Sequence, residues 1–156
     1  MNDNDFRKLK GLVVAFHDAL ERHDFSDSRL NLRKFPVECC HYACNLLTIF
    51  LFDQGYTNIQ KFSGGRPDDS SESHLWLTVN GVIVDITAYQ FDETIEKAIV
   101  ARDSSWHSVL HGEPSDSGLP GEPLNKYVER AKSHFSGLDA VLSKTALCIL
   151  AERPQP

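Results

Sequence analysis

Apolar residues at positions 6, 9, 12, 13, 16 and 20 recur at helical spacing, and they predict an N-terminal helix over residues 6–23 that ends in a polar loop over 24–33. A second helix is expected over residues 39–54. It starts after Pro36 and Glu38 and is stopped by Gly55, and its Ala43, Leu46, Leu47, Phe50 and Leu51 predict burial on most sides. Such a helix belongs at the centre of a fold. Residues 58–63 read as a short strand and residues 64–73, rich in Gly, Ser and Asp, as a loop delivering the chain to His74. Residues 75–79 and 82–86 then alternate around Asn80-Gly81, the pair that favours a two-residue type I′ turn, and predict a β-hairpin.

Beyond Phe91 the pattern weakens. A short helix is expected over 92–99 and a long loop or flap over 102–123, where Ser, Gly, Pro and His show little periodicity. Residues 124–135 and 138–150 read as helices separated by Gly137, with a last strand over 146–151 as the alternative for the end of the chain. No internal repeat is present. The sum is an α+β chain with one central helix, an antiparallel sheet and flanking helices.

The turn fixes a register. With Asn80 and Gly81 as the turn residues, Val79 faces Val82, and counting outward pairs Thr78 with Ile83, Leu77 with Val84, Trp76 with Asp85, Leu75 with Ile86 and His74 with Thr87. Alternation then gives one aliphatic face of Leu75, Leu77, Val79, Val82, Val84 and Ile86. The other face carries His74, Trp76, Thr78, Ile83, Asp85 and Thr87. On it His74 and Asp85 lie diagonally, roughly 6 to 8 Å apart by backbone and within reach of a side-chain hydrogen bond. This second face is either solvated or covered; Trp76 and Ile83 favour a cover, a helix or a substrate, because they would otherwise expose bulky apolar surface.

Composition narrows the class. A chain of 156 residues with 41% hydrophobic residues suits one domain over residues 1–156 with one ordinary core. The formal charge of −6 with scattered Lys and Arg argues against nucleic acid as a partner. Cys39, Cys40, Cys44 and Cys148 are poorly spaced for a disulfide framework. Residues 1–5 are polar and acidic, unlike a secretory signal, and the apolar run over 46–52 is far too short for a membrane span. A cytoplasmic protein acting away from membranes is expected.

In chain order the sequence offers a thiol, an imidazole and a carboxylate, the groups a cysteine nucleophile needs to attack, hold a proton and orient the base. Cys39 and Cys40 both qualify by position, since the first turn of a helix and a nearby imidazolium each favour the thiolate. Cys44 and Cys148 read as small apolar core residues. His17, His23, His107, His111 and His134 read as ordinary surface or partly buried histidines, and Trp106 as a packing residue. A metal site built from Cys39, Cys40, His41, Cys44 and His74 is the lesser alternative, because no Cys-x-x-Cys knuckle is present.

The segments Phe35-Pro36-x-x-Cys39-Cys40, Ser73-His74-x-Trp76-Leu77 and Asp85-Ile86-Thr87-Ala88-x-Gln90-Phe91 resemble small bacterial and phage proteins of the transglutaminase-like and papain-like superfamily of cysteine enzymes. The similarity covers roughly residues 35–91. It implies a helix presenting the thiol against an antiparallel sheet that carries His and then an acid. Carried over residue by residue, it makes Cys40 the nucleophile, Cys39 its variable neighbour, His74 the general base and Asp85 the orienting acid. Gln90 falls where the family often keeps a polar residue, and Trp76, Gln90 and Cys39 are the expected binding contacts. No glutamine of the papain type precedes the nucleophile, so only the Cys40 backbone N–H is a candidate oxyanion donor. The resemblance implies acyl transfer from a peptide or protein amide, or from a thioester, without a cofactor or metal. A binding protein that keeps the fold and holds a protein partner is the alternative.

Overall fold

The computed structural model describes residues 1–66, 68–115 and 121–153, and is an α+β arrangement of five helices around a five-stranded antiparallel sheet. Helix α1 spans Asp3–Arg22. Its Asn2 cap accepts a hydrogen bond from the Asp5 N–H at 2.8 Å, and the predicted stripe of Leu9, Leu12, Val13, Phe16 and Leu20 is buried. Helix α2 spans Cys40–Asp53, and every residue from Ala43 to Leu51 is buried, as its lack of a polar face predicts. The chain leaves it through Gly55 at φ 91°, a left-handed conformation that costs glycine little. Phe16 and Phe50 stack at 4.8 Å and lock α1 to α2.

The strands β1 (Ile59–Arg66), β2 (Asp69–Val79), β3 (Val82–Asp85), β4 (Ile99–Ala101) and β5 (Glu113–Pro114) lie in the order β4-β3-β2-β1-β5. The β2–β3 turn is the one expected: Asn80 and Gly81 have φ of 51° and 79°, both left-handed as a type I′ turn requires. The register also holds at Val79 with Val82, Thr78 with Ile83 and Leu77 with Val84. Pairing stops there, so the expected pairs of Trp76 with Asp85, Leu75 with Ile86 and His74 with Thr87 do not form. The Leu75 carbonyl accepts instead from the Cys44 thiol of α2 at 3.4 Å.

Three other expectations are overturned, and one alternative is excluded. Residues 64–73 are not a loop: β1 continues through Gly64 and Gly65, which pair with His74 and Ser73, so backbone pairing overrides a turn-rich composition. Pro67 lies outside the described residues. Residues 92–99 form turns leading into β4, with the Asp92 carboxylate accepting from the Thr94 N–H at 2.9 Å, a local bond that competes with helix. The stretch 102–123 holds α3 (Ser105–Ser108) and β5, while residues 116–120 of the expected flap lie outside the described residues. The last element is helix α5 (Leu138–Glu152), which excludes a strand over 146–151.

Helix α4 (Leu124–Phe135) ends through Ser136 and Gly137 at φ 50° and 85°, and buries Tyr127, Val128, Ala131 and Phe135. Leu77, Val79, Val82, Val84 and Ile86 join α1, α2, α4 and α5 in one hydrophobic core, with Leu75 partly buried against it. None of the described helices is long and apolar enough to cross a membrane.

Candidate functional site

The second face of the hairpin is buried rather than solvated: His74, Trp76, Asp85 and Thr87 are all buried. The cover is α3 and the turn after β3, with Trp106 edge-on to His74 at 5.5 Å and Phe91 edge-on at 5.2 Å. Trp76 fills the space beneath. It stacks on Phe62 at 6.0 Å and on His74 at 6.0 Å, and Gly112 lets the chain cross its ring so closely that a Cβ there would sit 2.3 Å from it. The expected binding contact Trp76 is therefore the floor on which His74 rests.

Asp85 is the centre of the polar cluster. Its Oδ1 accepts from the backbone N–H of Thr87 at 2.9 Å and of Ala88 at 3.1 Å, and from the Thr87 hydroxyl at 3.3 Å. Its Oδ2 faces Nε2 of His74 at 2.6 Å and Nε2 of His107 at 3.0 Å. Burial opposes its charge, but His74, His107 and the Thr87 N–H outweigh burial and hold the acid well below the usual carboxylate range. An ionised carboxylate only accepts, so both Nε2 atoms carry the hydrogen. For His74, burial works against protonation and the Asp85 charge overcomes it, so the imidazole is raised above its ordinary value.

With Nε2 committed to Asp85, Nδ1 is the ring nitrogen left for other contacts. His74 Nδ1 is buried and has no hydrogen-bond partner among the described residues. Cys40, the first residue of α2, is near enough to interact with it, although not as an aligned hydrogen bond, a looseness common before substrate binds. Burial raises the Cys40 thiol, but His74 and the backbone N–H groups of Leu75 and His41 prevail and lower it. The parting of β2 from β3 at Leu75 explains the approach: groups that would have served Ile86 are turned to the first turns of α2.

Cys39 is placed otherwise. Its sulfur sits 3.0 Å from the Asn31 carbonyl and 3.1 Å from that of Val37, the residue is fully buried, and burial pushes the thiol up to about 11. It is a buried structural residue and not the binding contact expected. Gln90 bridges two backbones, accepting from the Glu38 N–H at 3.1 Å and donating to the Thr87 carbonyl at 3.0 Å. It ties the residues before α2 to those after Asp85, and so holds the thiol side of the cluster to the acid side.

His107 is the residue that the sequence reading missed. Taken there as an ordinary histidine, it is buried, and its Nδ1 lies 2.8 Å from the Ser104 hydroxyl while Nε2 meets Asp85. The Ser104-x-x-His107 spacing, with Ser104 capping α3, is a local signal of order but names no partner. Trp106 does more than pack: with His74, Phe91, Arg66, Glu72 and Leu110 it lines a cavity of about 680 Å³. Cys44 is a core residue as expected, whereas Cys148 is exposed on α5.

The alternative metal set does not converge, because Cys39 points to backbone carbonyls, Cys44 to Leu75 and His41 to Asn45. His74, Asp85 and His107 do bring three ligand-type atoms within 4.8 Å of one another, but the acid oxygen itself lies between the two imidazoles at hydrogen-bond length. Comparison with protein-family models, with curated proteins and with solved structures gives no match for this chain. The functional reading therefore rests on the geometry.

Proposed function

We propose that this chain is a cysteine-dependent acyl-transfer enzyme with a papain-like or transglutaminase-like core, acting on an amide or thioester of a peptide or protein. The observation that carries this reading is the polarity of His74: one nitrogen held by a buried carboxylate, the other buried, without a hydrogen-bond partner among the described residues and on the side of a half-buried thiol of lowered pKa. In the first half-reaction the Cys40 sulfur bonds to the carbonyl carbon, the bond to the leaving amine or thiol breaks, and the leaving group takes the proton from His74 Nδ1. Water or an amine then attacks the thioester, gives its proton to His74, and releases the acyl group with the Cys40 thiol restored. Asp85 keeps the ring oriented and stabilises the imidazolium, as a buried acid does in a nucleophile–histidine–acid constellation. The cavity beside His74, walled by Phe91 and Trp106, is the place for the substrate side chain.

The test is intact-mass analysis after incubation with a panel of peptide amides and aryl thioesters. The expected result is an acyl adduct on Cys40 that hydroxylamine removes and that Cys40→Ala does not form. An unacylated protein throughout the panel, with a Cys40 thiol of ordinary reactivity, would contradict the reading.

A further inference from the structure

A second polar cluster lies on the opposite face of β1. Lys61 pairs with Leu77 across the β1–β2 ladder and so points into the core, where the residue is 5% exposed. Its ammonium donates to the Asn45 side-chain oxygen and lies 3.4 Å from the Tyr127 hydroxyl, which also bonds Asn45. No Asp or Glu of the described residues forms an ion pair with it. A buried ammonium without a counter-charge is costly, and burial lowers its pKa accordingly.

Asn45 and Tyr127 are also the floor of a pocket of about 460 Å³ between α2 and α4, whose walls include His41, Arg130, Ser133 and His134. No carboxylate lines it among the described residues. Arg130, at its wall, is bonded to Glu122 at 2.8 Å. In a chain of net charge −6, α2 and α4 bring His41, Arg130 and His134 to the walls of this pocket, and Lys61 of β1 lies behind its floor, bonded to Asn45 and Tyr127. His41 records the resulting field, since burial, then Lys61, then His134 each lower its pKa. Three basic groups, an amide and two hydroxyls around the pocket, with the Lys61 ammonium behind its floor, are complementary to a compact group that brings negative charge and several acceptor oxygens.

We propose that the pocket between α2 and α4 binds a small oxyanion, with Lys61 as the buried counter-charge and His41, Arg130 and His134 at its walls. The anion supplies the charge that Lys61 lacks, and it reverses the field at His41. This site shares no side chain with the His74 cluster and stands whether or not Cys40 is a nucleophile.

The experiment titrates the whole protein with sodium phosphate at constant ionic strength, following the His41 and His134 ring protons by NMR across pH, with sodium acetate and sodium chloride as parallel arms. Saturable shifts of both rings with phosphate or acetate, absent with chloride, and an upward shift of the His41 pKa in the bound form are expected. The tighter of the two arms identifies a tetrahedral oxyanion or a carboxylate. Lys61→Met, which keeps the stem and removes the charge, should weaken binding at least tenfold, and so should Arg130→Gln at the exposed mouth, where folding is not at risk. No saturable shift beyond the chloride arm, or binding that both substitutions leave unchanged, overturns the proposal.

Discussion

Nε2 of His107 lies 3.0 Å from Oδ2 of Asp85, the oxygen that also meets His74 at 2.6 Å. Because that oxygen only accepts, His107 donates from Nε2, while its Nδ1 lies 2.8 Å from the Ser104 hydroxyl. His107→Ala should leave one fewer donor on a buried carboxylate, cost about 1–3 kcal/mol in urea denaturation, and concentrate the Asp85 charge on His74. The pH at which His74 loses its proton, about 9 in the wild type, should then move higher, with His107→Gln, which keeps a donor, restoring much of the wild-type behaviour in the Cys40 alkylation profile. An unchanged profile in both variants would show that His107 only packs.

The two adjacent cysteines should separate cleanly. Cys40→Ala is expected to abolish rapid alkylation by iodoacetamide with little change in folding. Cys39→Ala should keep the fast thiol and lose on the order of 1 kcal/mol of stability, because it empties a fully buried position. Peptide mapping after a short labelling pulse checks both; loss of the fast thiol in Cys39→Ala alone would exchange the assignments.

Stability should depend on pH in a way set by the same pair. Asp85 is depressed in the folded chain, so its contribution is fully present above the unfolded value of about 3.9 and is lost as pH falls from there through its lower folded value. His74 is raised from 6.5 to about 9, so its contribution is full below 6.5 and lost as pH rises toward 9. The difference in urea midpoint between the wild type and Asp85→Asn should therefore be largest between about pH 4 and 6.5. A difference that is flat from pH 4 to 9 would mean that the two groups are not coupled in solution.

Gly112→Ala tests the floor beneath His74. The added Cβ would meet two Trp76 ring atoms at 2.3 and 2.4 Å, so Trp76 or the backbone must move. A loss of about 1–3 kcal/mol is expected, together with slower Cys40 alkylation, because Trp76 supports the His74 ring. Wild-type stability in this variant would mean that the crossing at Gly112 is loose.

What could be read from the chain follows the range of the forces involved. Asn80-Gly81 sets its turn and register within a few residues, so the meeting of His74 and Asp85 on one face was legible, and so was the continuous burial of α2. The loss of pairing beyond Leu77 was not, because it depends on α2 taking over the Leu75 backbone groups. His107 is separated from Asp85 by turns and a three-residue strand too short for a periodic signal, and only tertiary packing brings it to the carboxylate. Gly64 and Gly65 read as loop residues because their partners are equally polar; the ladder with Ser73 and His74 is a backbone property that composition does not carry.

The central claim is that His74 Nδ1 serves the Cys40 thiol, and the pH dependence of Cys40 alkylation by iodoacetamide tests it most directly. An inflection below the ordinary thiol value of about 8.5 is expected, because Cys40 is lowered and His74 raised, with loss of that inflection in His74→Ala. A single inflection near 8.5 that His74→Ala leaves in place would contradict it.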